Sequence, residues 1–363
     1  MNSLLRHKNL IYNCKQVLLE HICPLISHLR GRRMVNISEM FSVSKCALSV
    51  FFSLFCIGGE VCSFAQNEPL FSNSFQMPLA SNPGAAGRSG MLDVTAAMRQ
   101  QWVGFDGAPT QFYLAADAEL PFLKAFHGLA ITVLQDKYGP VTALNLTAAY
   151  SYHIYLDKAL LGLGARFGVY NVDFSTSDLY TSPADLPDGY HQESDQLLQG
   201  GDESKAAFDV GIGAYYQSPI AYASLAVQHL TAPDIEMASG LAYKVRPTMV
   251  IAAGRLLAKD VNVRSLEPRF ELRTDFSTMQ LEMTLNVNIR QRVWFGSGVR
   301  LQDAIPISLG VHFKNGLDIA YTYDINISKL RRYSSGSHDV AVRYSFDLRR
   351  DKPKTTYKSV RIL

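Results

Sequence analysis

The feature that most constrains this chain is a strict alternation of apolar and polar residues over segments too long for ordinary soluble strands. In 279–290, Met279, Leu281, Met283, Leu285, Val287 and Ile289 alternate with Gln280, Glu282, Thr284, Asn286, Asn288 and Arg290. A period of two sends successive side chains to opposite faces of a β-strand, so one face here is wholly apolar and the other wholly polar. Leu92, Val94, Ala96 and Met98 alternate in the same way with Asp93, Thr95 and Ala97. So do Phe112, Leu114, Ala116, Ala118 and Leu120 with Tyr113, Ala115, Asp117 and Glu119. A soluble sandwich turns its polar face to water, whereas a membrane barrel turns its apolar face to lipid and its polar face to the lumen.

About 14 such segments follow one another, near 91–102, 110–120, 126–135, 141–156, 159–174, 206–217, 220–230, 244–257, 264–274, 278–290, 292–301, 304–314, 317–326 and 337–348. Most run to ten residues or more. That exceeds the five or six of a typical soluble strand and matches the roughly 9–11 residues a tilted strand needs to cross a bilayer. The reading is all-β: a transmembrane antiparallel β-barrel of about 14 strands over 91–348. Connection lengths agree. Asp157-Lys158, Gln217-Ser218-Pro219 and Asn315-Gly316 are tight and fall in even-numbered slots, where periplasmic turns belong. The long polar stretch 175–205 and the connections 231–243 and 327–336 fall in odd slots, where external loops belong.

The N-terminus has a different character. All five cysteines (Cys14, Cys23, Cys46, Cys56 and Cys62) precede residue 63, and none follows. Absence of cysteine suits an oxidising compartment, and no CxxC pair suggests a zinc or redox motif. Lys45 precedes the apolar run Ala47–Ile57, which has signal-peptide length and is too short for a spanning helix. Ser63-Phe64-Ala65 supplies small residues at the −3 and −1 positions of a cleavage site. Residues 1–65 therefore read as extension plus cleaved signal peptide, with Met34 or Met40 as alternative starts. Cys56 and Cys62 leave a lipoprotein alternative, disfavoured by Phe55 and Val61 where a small residue is wanted. Without residues 1–65 the chain holds 28 basic and 29 acidic residues, a balance that argues against a nucleic-acid partner. Residues 66–90 read as a periplasmic or lumenal segment, and 349–363 as a basic periplasmic tail.

Chemistry-bearing motifs are sparse. Gly162, Gly164 and Gly168 lack the GxGxxG spacing and lie in an alternating strand, so they read as inward glycines that relieve crowding or accommodate a kink, as do Gly211 and Gly213. His127, His153, His191, His229, His312 and His338 form no close ligand pair. Asp117 and Glu119 share the polar face, which is commonplace in a barrel lumen, and no GxSxG elbow occurs. Catalytic, cofactor-binding and metal residues are each expected to be none. Tyr150, Tyr152, Tyr155, Tyr215 and Tyr216 cluster near strand ends, as interfacial girdles do.

Longer blocks point to a family. Gln66–Ser72 followed by Asn82-Pro83-Gly84-Ala85-Ala86-Gly87 resembles the opening of the PorP/SprF family, and Arg99-Gln100-Gln101-Trp102-Val103-Gly104-Phe105-Asp106-Gly107-Ala108-Pro109-Thr110 is similar to its most recognisable motif. Tyr138-Gly139-Pro140, Asp209–Tyr216, Leu266-Glu267-Pro268, Ala320–Asp324 and Ser335–Val340 are further matches. Phe75–Pro78 and Gly84-Ala85 depart from the family pattern. The resemblance implies a barrel in the bacterial outer membrane that works in the type IX secretion system of Bacteroidetes. It also implies association with a periplasmic ring, made of a lipoprotein and its partner protein, and a role in secretion or surface attachment of cargo such as gliding adhesins. A passive pore or transporter for small solutes is the alternative reading, and an outer-membrane hydrolase a remote third.

Overall fold

A computed structural model describes residues 70–122, 125–175, 202–237, 242–260 and 264–347. The expected signal segment and the extension before it, most of the stretch 175–205, and the basic tail lie outside the described residues.

Seventeen strands are described: β1 (Leu92–Gln100), β2 (Thr110–Phe122), β3 (Ala125–Tyr138), β4 (Val141–Leu156), β5 (Ala159–Phe174), β6 (Glu203–Gln217), β7 (Ala221–Gln228), β8 (Asp234–Glu236), β9 (Ala242–Lys244), β10 (Thr248–Arg255), β11 (Ala258–Asp260), β12 (Arg264–Thr274), β13 (Met279–Ile289), β14 (Val293–Arg300), β15 (Ala304–His312), β16 (Leu317–Asn326) and β17 (Ser337–Phe346). Fourteen of them close a barrel of antiparallel neighbours. β1 pairs with both β2 and β17, and β10 pairs with both β7 and β12. Closure leaves no free sheet edge, which is the requirement for strands in lipid. β11 continues β10 after a short interruption at Leu256-Leu257, and still pairs with β12. β8 and β9 form a separate small hairpin.

The alternation read from sequence is the alternation of the wall. Asp93, Thr95, Ala97 and Arg99 of β1 are buried inside, while Met98 is half exposed outside. In β13, Gln280 and Asn286 are buried, whereas Met279 and Leu285 are exposed. Leu114, Ile131, Leu146, Phe167, Ile212, Leu225, Phe295, Ile307 and Ile319 form part of an outward apolar belt. In water such a belt would be a large unfavourable patch; in a bilayer it faces its own kind.

One end of the barrel carries short turns at Asp157-Lys158, Ser218–Ile220, Arg290–Arg292 and Phe313–Gly316. The other carries the longer connections 101–109, 229–247 and 327–336, together with the short turns Gly139-Pro140, Asp275–Thr278 and Leu301–Asp303. These are called below the turn end and the loop end. The sequence expectation of long odd-numbered connections therefore has three exceptions among the described connections, at β3–β4, β12–β13 and β14–β15.

Candidate functional site

The lumen is where side chains from distant parts of the sequence meet, and it is occupied by the chain's own residues 70–90. This segment enters beside β1 at the turn end, with Gly87 against Asp117 and Ala118 of β2. It then runs round the inner wall. Gly84 touches Gly162 of β5, Asn82 bonds β6 and β7, and Ser74 reaches β12. Ser72 ends the circuit against β1, β16 and β17. Short helical turns at Ser74–Gln76, Pro78–Ser81 and Pro83–Ala85 bend it to this path. We call it the plug.

The plug can follow the wall because the wall is built low beneath it. A Cβ at Gly128, Gly162 or Gly164 would run into the backbone of Ala86, Gly84 or Pro83, and one at Gly213 would strike Asn82. The inward glycines thus give backbone-to-backbone approach to a second segment, a use beyond relieving crowding. Asn82 then satisfies several groups at once. Its amide donates to the Ala214 carbonyl (2.9 Å) and to Ser224 Oγ (2.8 Å), and its oxygen accepts from the Gly84 N–H (2.8 Å).

The far end of the plug is clasped by buried charges. Arg99 and Arg300 each donate to Ser72 Oγ at 2.7 Å, and both pair with Asp324, at 2.7 and 2.9 Å. Ser72 Oγ in turn donates to Asp324. Asp339 accepts from the Ser72 N–H at 2.7 Å, and Thr322 donates to Asn73 Oδ1 at 2.7 Å. Arg300 also binds Glu282 at 2.7 Å and Asp303 at 3.2 Å. Arg99, Arg300, Asp324 and Asp339 are at most 1% exposed, so each charge relies on these partners for the solvation that water would give. Arg99 lies in the RQQWVGFDGAPT block, Asp324 in Ala320–Asp324 and Asp339 in Ser335–Val340. Blocks more than 200 residues apart in sequence thus meet on Ser72-Asn73.

The other polar groups noted in the sequence have structural partners. Asp117 accepts the Gly87 N–H at 2.8 Å. Glu119 lies 3.0 Å from His153 and also accepts from Tyr155, while the second ring nitrogen of His153 meets the Ala86 carbonyl at 2.9 Å. The Asp117/Glu119 pair therefore anchors the plug and its surroundings. His229 pairs with Asp209 at 3.0 Å and His312 with Asp318 at 2.8 Å. His127 and His338 lie on the outer face against Tyr150 and Tyr321. His191 lies outside the described residues. Among the described residues no group of three or more His, Cys, Asp and Glu side chains gathers as a metal site would require. Tyr150, Tyr152 and Tyr216 are exposed on the outer face, whereas Tyr155, in phase with the inward His153, is exposed on the lumen side and donates to Glu119, a departure from the girdle expectation. Tyr215 departs from the girdle expectation. It is 2% exposed, inside the lumen, stacked on Tyr222 with Arg88 over its ring. Adjacent residues of a strand face opposite sides, so Tyr215 and Tyr216 cannot share a girdle.

The β8–β9 hairpin folds inward at the loop end. Ile235, Met237 and Val245 pack on Ala143, Tyr170 and Val172 of β4 and β5, and Tyr138 donates its hydroxyl to that of Tyr243 at 2.9 Å. Between plug and wall lies a cavity of about 30 Å³, bordered by Phe71, Ala80, Asp136, Arg166 and His229. That is space for a water or two.

No curated protein matches the chain significantly. Similar solved structures include the outer membrane protein Omp33 of Acinetobacter baumannii (5% identity, TM-score 0.42, covering 70% of this chain and 98% of that one). The toluene transporter TbuX of Ralstonia pickettii is another (12%, 0.41, covering 75% and 93%), as is the monoaromatic hydrocarbon channel CymD (12%, 0.44, covering 75% and 93%). Identities and scores this low say nothing about what the barrel does. The sequence profile of the family described as "Type IX secretion system membrane protein PorP/SprF" matches residues 63–344, from ahead of the plug into the last strand. With its closed, belted barrel and a match over most of its length, this chain belongs to the PorP/SprF family of type IX secretion system membrane proteins and resides in the bacterial outer membrane.

Proposed function

We propose that this barrel is a non-catalytic component of type IX secretion or gliding machinery, and that it supports release or surface attachment of cargo proteins through its rims and not by conducting solutes. The observation that carries the proposal is the filled lumen: a self-supplied plug clasped at Ser72 by Arg99, Arg300, Asp324 and Asp339. A pore gains nothing from a buried charge cluster dedicated to its own blockage. A scaffold gains a rigid wall.

In bacterial barrels the short-turn end faces the periplasm. That end presents Lys158, Arg290, Arg292 and Lys314 to solvent. There a periplasmic ring of a lipoprotein and its partner would be met, and the basic tail after Leu348 would add to the same face. The loop end, including 175–205, would meet cargo. Residues 66–90 and 91–348 then form one functional unit, delivered by a signal peptide that ends at Ala65. N-terminal mass spectrometry of outer-membrane material tests that cleavage, with Gln66 as the expected first residue.

The functional test substitutes Arg290, Arg292 and Lys314 with glutamine and, separately, deletes 349–363, then measures barrel assembly, copurification of ring proteins and release of type IX cargo. Reduced ring association with normal assembly is the expected result. Solute flux through the reconstituted full chain at porin levels, with cargo release untouched by every rim variant, would replace this reading with a passive pore.

A further inference from the structure

At the loop end, two connections are built into one ordered platform. Val103 N–H donates to the Gly336 carbonyl at 2.8 Å and Ser335 N–H to the Val103 carbonyl at 2.7 Å, so 101–109 and 327–336 pair with each other. Trp102 N–H also reaches Ser337 Oγ, and Tyr323 donates to the Ser335 carbonyl. Ile327 and Ser328 hang from the Asp303 carbonyl. This frame fixes a single 3-10 turn, Lys329–Arg332, whose Lys329, Arg331 and Arg332 are all exposed. None of these three makes an ion pair with a described residue. The one carboxylate in the two connections is Asp106. The same two paired connections carry Tyr333, next to Arg332 in sequence and 69% exposed, and Phe105, 48% exposed.

The position of this cluster on the barrel gives it meaning. Directly below it, the outward face of β16 and β17 carries Ile325, Tyr321 and Val340, all exposed. Tyr321 and Tyr323 flank His338 with ring centroids 6.0 and 5.2 Å away, and Tyr321 bonds its ring nitrogen at 2.7 Å. Aromatic residues with polar tips mark the level where hydrocarbon gives way to headgroups. The unpaired cations follow Ile325 and Ile327, the last exposed apolar residues on the way out of β16, and so stand where the apolar belt ends, while the exposed aromatics of the same platform suit partial insertion. A purely water-facing loop has no use for Tyr333 and Phe105 so exposed. An acidic protein partner would account for the cations but not for their continuity with the lipid belt.

We propose that the Lys329–Arg332 platform binds the phosphate-bearing headgroup of an outer-leaflet lipid, with Phe105 and Tyr333 seated among the first acyl carbons. This rests on the assignment of the loop end to the cell exterior. It would fix the rotation and tilt of the barrel, and so the angle at which its opposite rim meets machinery.

The test uses the full chain, purified in a neutral detergent and offered phosphorylated lipid A or its enzymatically dephosphorylated form, with bound lipid counted by native mass spectrometry. The phosphorylated form should be retained and the dephosphorylated form lost. K329Q/R331Q/R332Q should weaken retention on the order of 100-fold, since each cation near an anionic surface contributes about fivefold. R331K/R332K, which keeps the charge, should retain it. F105S/Y333S should weaken retention of both forms. Assembly is followed by heat-modifiable gel migration, and if the triple glutamine variant fails to assemble, each single variant replaces it with an expected fivefold effect. Equal retention of the two lipid forms, or unchanged retention by assembled glutamine variants, overturns the proposal. Glutamine variants that keep the lipid but lose cargo release also overturn it, and assign the cluster to a protein partner while leaving the secretion reading intact.

Discussion

The plug and the β8–β9 hairpin both fill the lumen, yet they are held by different physics. The plug is fastened by buried charges at Ser72, by the Asn82 amide, and by backbone contact with glycines of the wall. These interactions span β1, β2, β3, β4, β5, β6, β7, β12, β14, β16 and β17. The plug is in effect an inner layer of the barrel. The hairpin rests on one apolar patch of β4 and β5, a tyrosine hydroxyl pair and an exposed polar contact from Lys205 of β6 to the Glu236 carbonyl at 2.6 Å. Local stability follows the density of buried contacts, so the plug should open with the whole molecule and the hairpin on its own. One is a structural member, the other a lid.

The largest effect should come from the clasp. Asp324→Ala leaves Arg99 and Arg300 buried without their shared partner, and breaking a buried pair in this way costs about 3–5 kcal/mol. Urea unfolding in lipid vesicles should show a loss of that size, and a thiol placed at Ser72 should become reactive in the variant alone. A loss below about 1 kcal/mol would mean that the plug end is not integral, and the contrast with the hairpin would fall. Next in size is Gly162→Ala, whose new methyl meets the Gly84 carbonyl. Overpacking of this kind costs about 1–3 kcal/mol. In a chain lacking 70–87 the same substitution should become nearly neutral, because the strain needs both segments; a double-mutant cycle measures that coupling. An equal cost in both backgrounds would place the strain within the wall.

The wall was legible because lipid imposes a strong apolar preference on its outer face. Met279 to Ile289 reads apolar at every second position, which puts Leu285 on the outer face, where it stands opposite Ser297 and Pro268. Strand existence was therefore readable, with ends shifting by a few residues: 126–135 extends to Ala125–Tyr138, and 244–257 contracts to Thr248–Arg255 before resuming at Ala258. The inner face obeys no such rule. Arg99, Asp324 and Asp339 look the same in sequence whether they line a wet channel or clasp a plug, because polarity at alternate positions does not say what the partner is. The clasp is a tertiary fact, made across 252 residues between Ser72 and Asp324. A signal did exist in Gly162, Gly164 and Gly213, since inward glycines in three neighbouring positions make room for a backbone. The β8–β9 hairpin had only Ile235 and Met237, too few apolar residues to stand out from an ordinary loop.

The lid should answer to smaller perturbations. Ile235→Ser removes its most buried apolar contact, 1% exposed in the native state. Protease nicking in the 237–242 region should rise severalfold, while global unfolding shifts by less than about 1 kcal/mol, because surface-loop contacts open separately from the barrel. A global loss comparable to that of Asp324→Ala would make the lid a structural member too and erase the distinction.

The smallest effect concerns pH, and it acts where the hairpin's return arm is tied down. Arg246 donates to Ser277 Oγ at 2.8 Å and lies 3.7 Å from Asp275. Burial tends to push the Asp275 carboxyl up. The N–H groups of Thr278 and Ser277, the Thr278 hydroxyl and Arg246 outweigh it, and hold the group below the ordinary aspartate value. A depressed folded value means that the carboxylate contributes stability above the unfolded value and loses it as pH falls through the folded one. Nicking of the lid should therefore be flat from neutral pH down to the ordinary aspartate range and should rise only on further acidification, as proton uptake frees Arg246. Asp275→Asn should raise nicking slightly at neutral pH and remove the acid-dependent step. Arg246 lies more than a third exposed, so solvent screening keeps the effect well under that of Ile235→Ser. An acid step that survives in Asp275→Asn would place the titrating group elsewhere in the lid, with Asp234 and Glu236 as the nearest carboxylates on the hairpin itself.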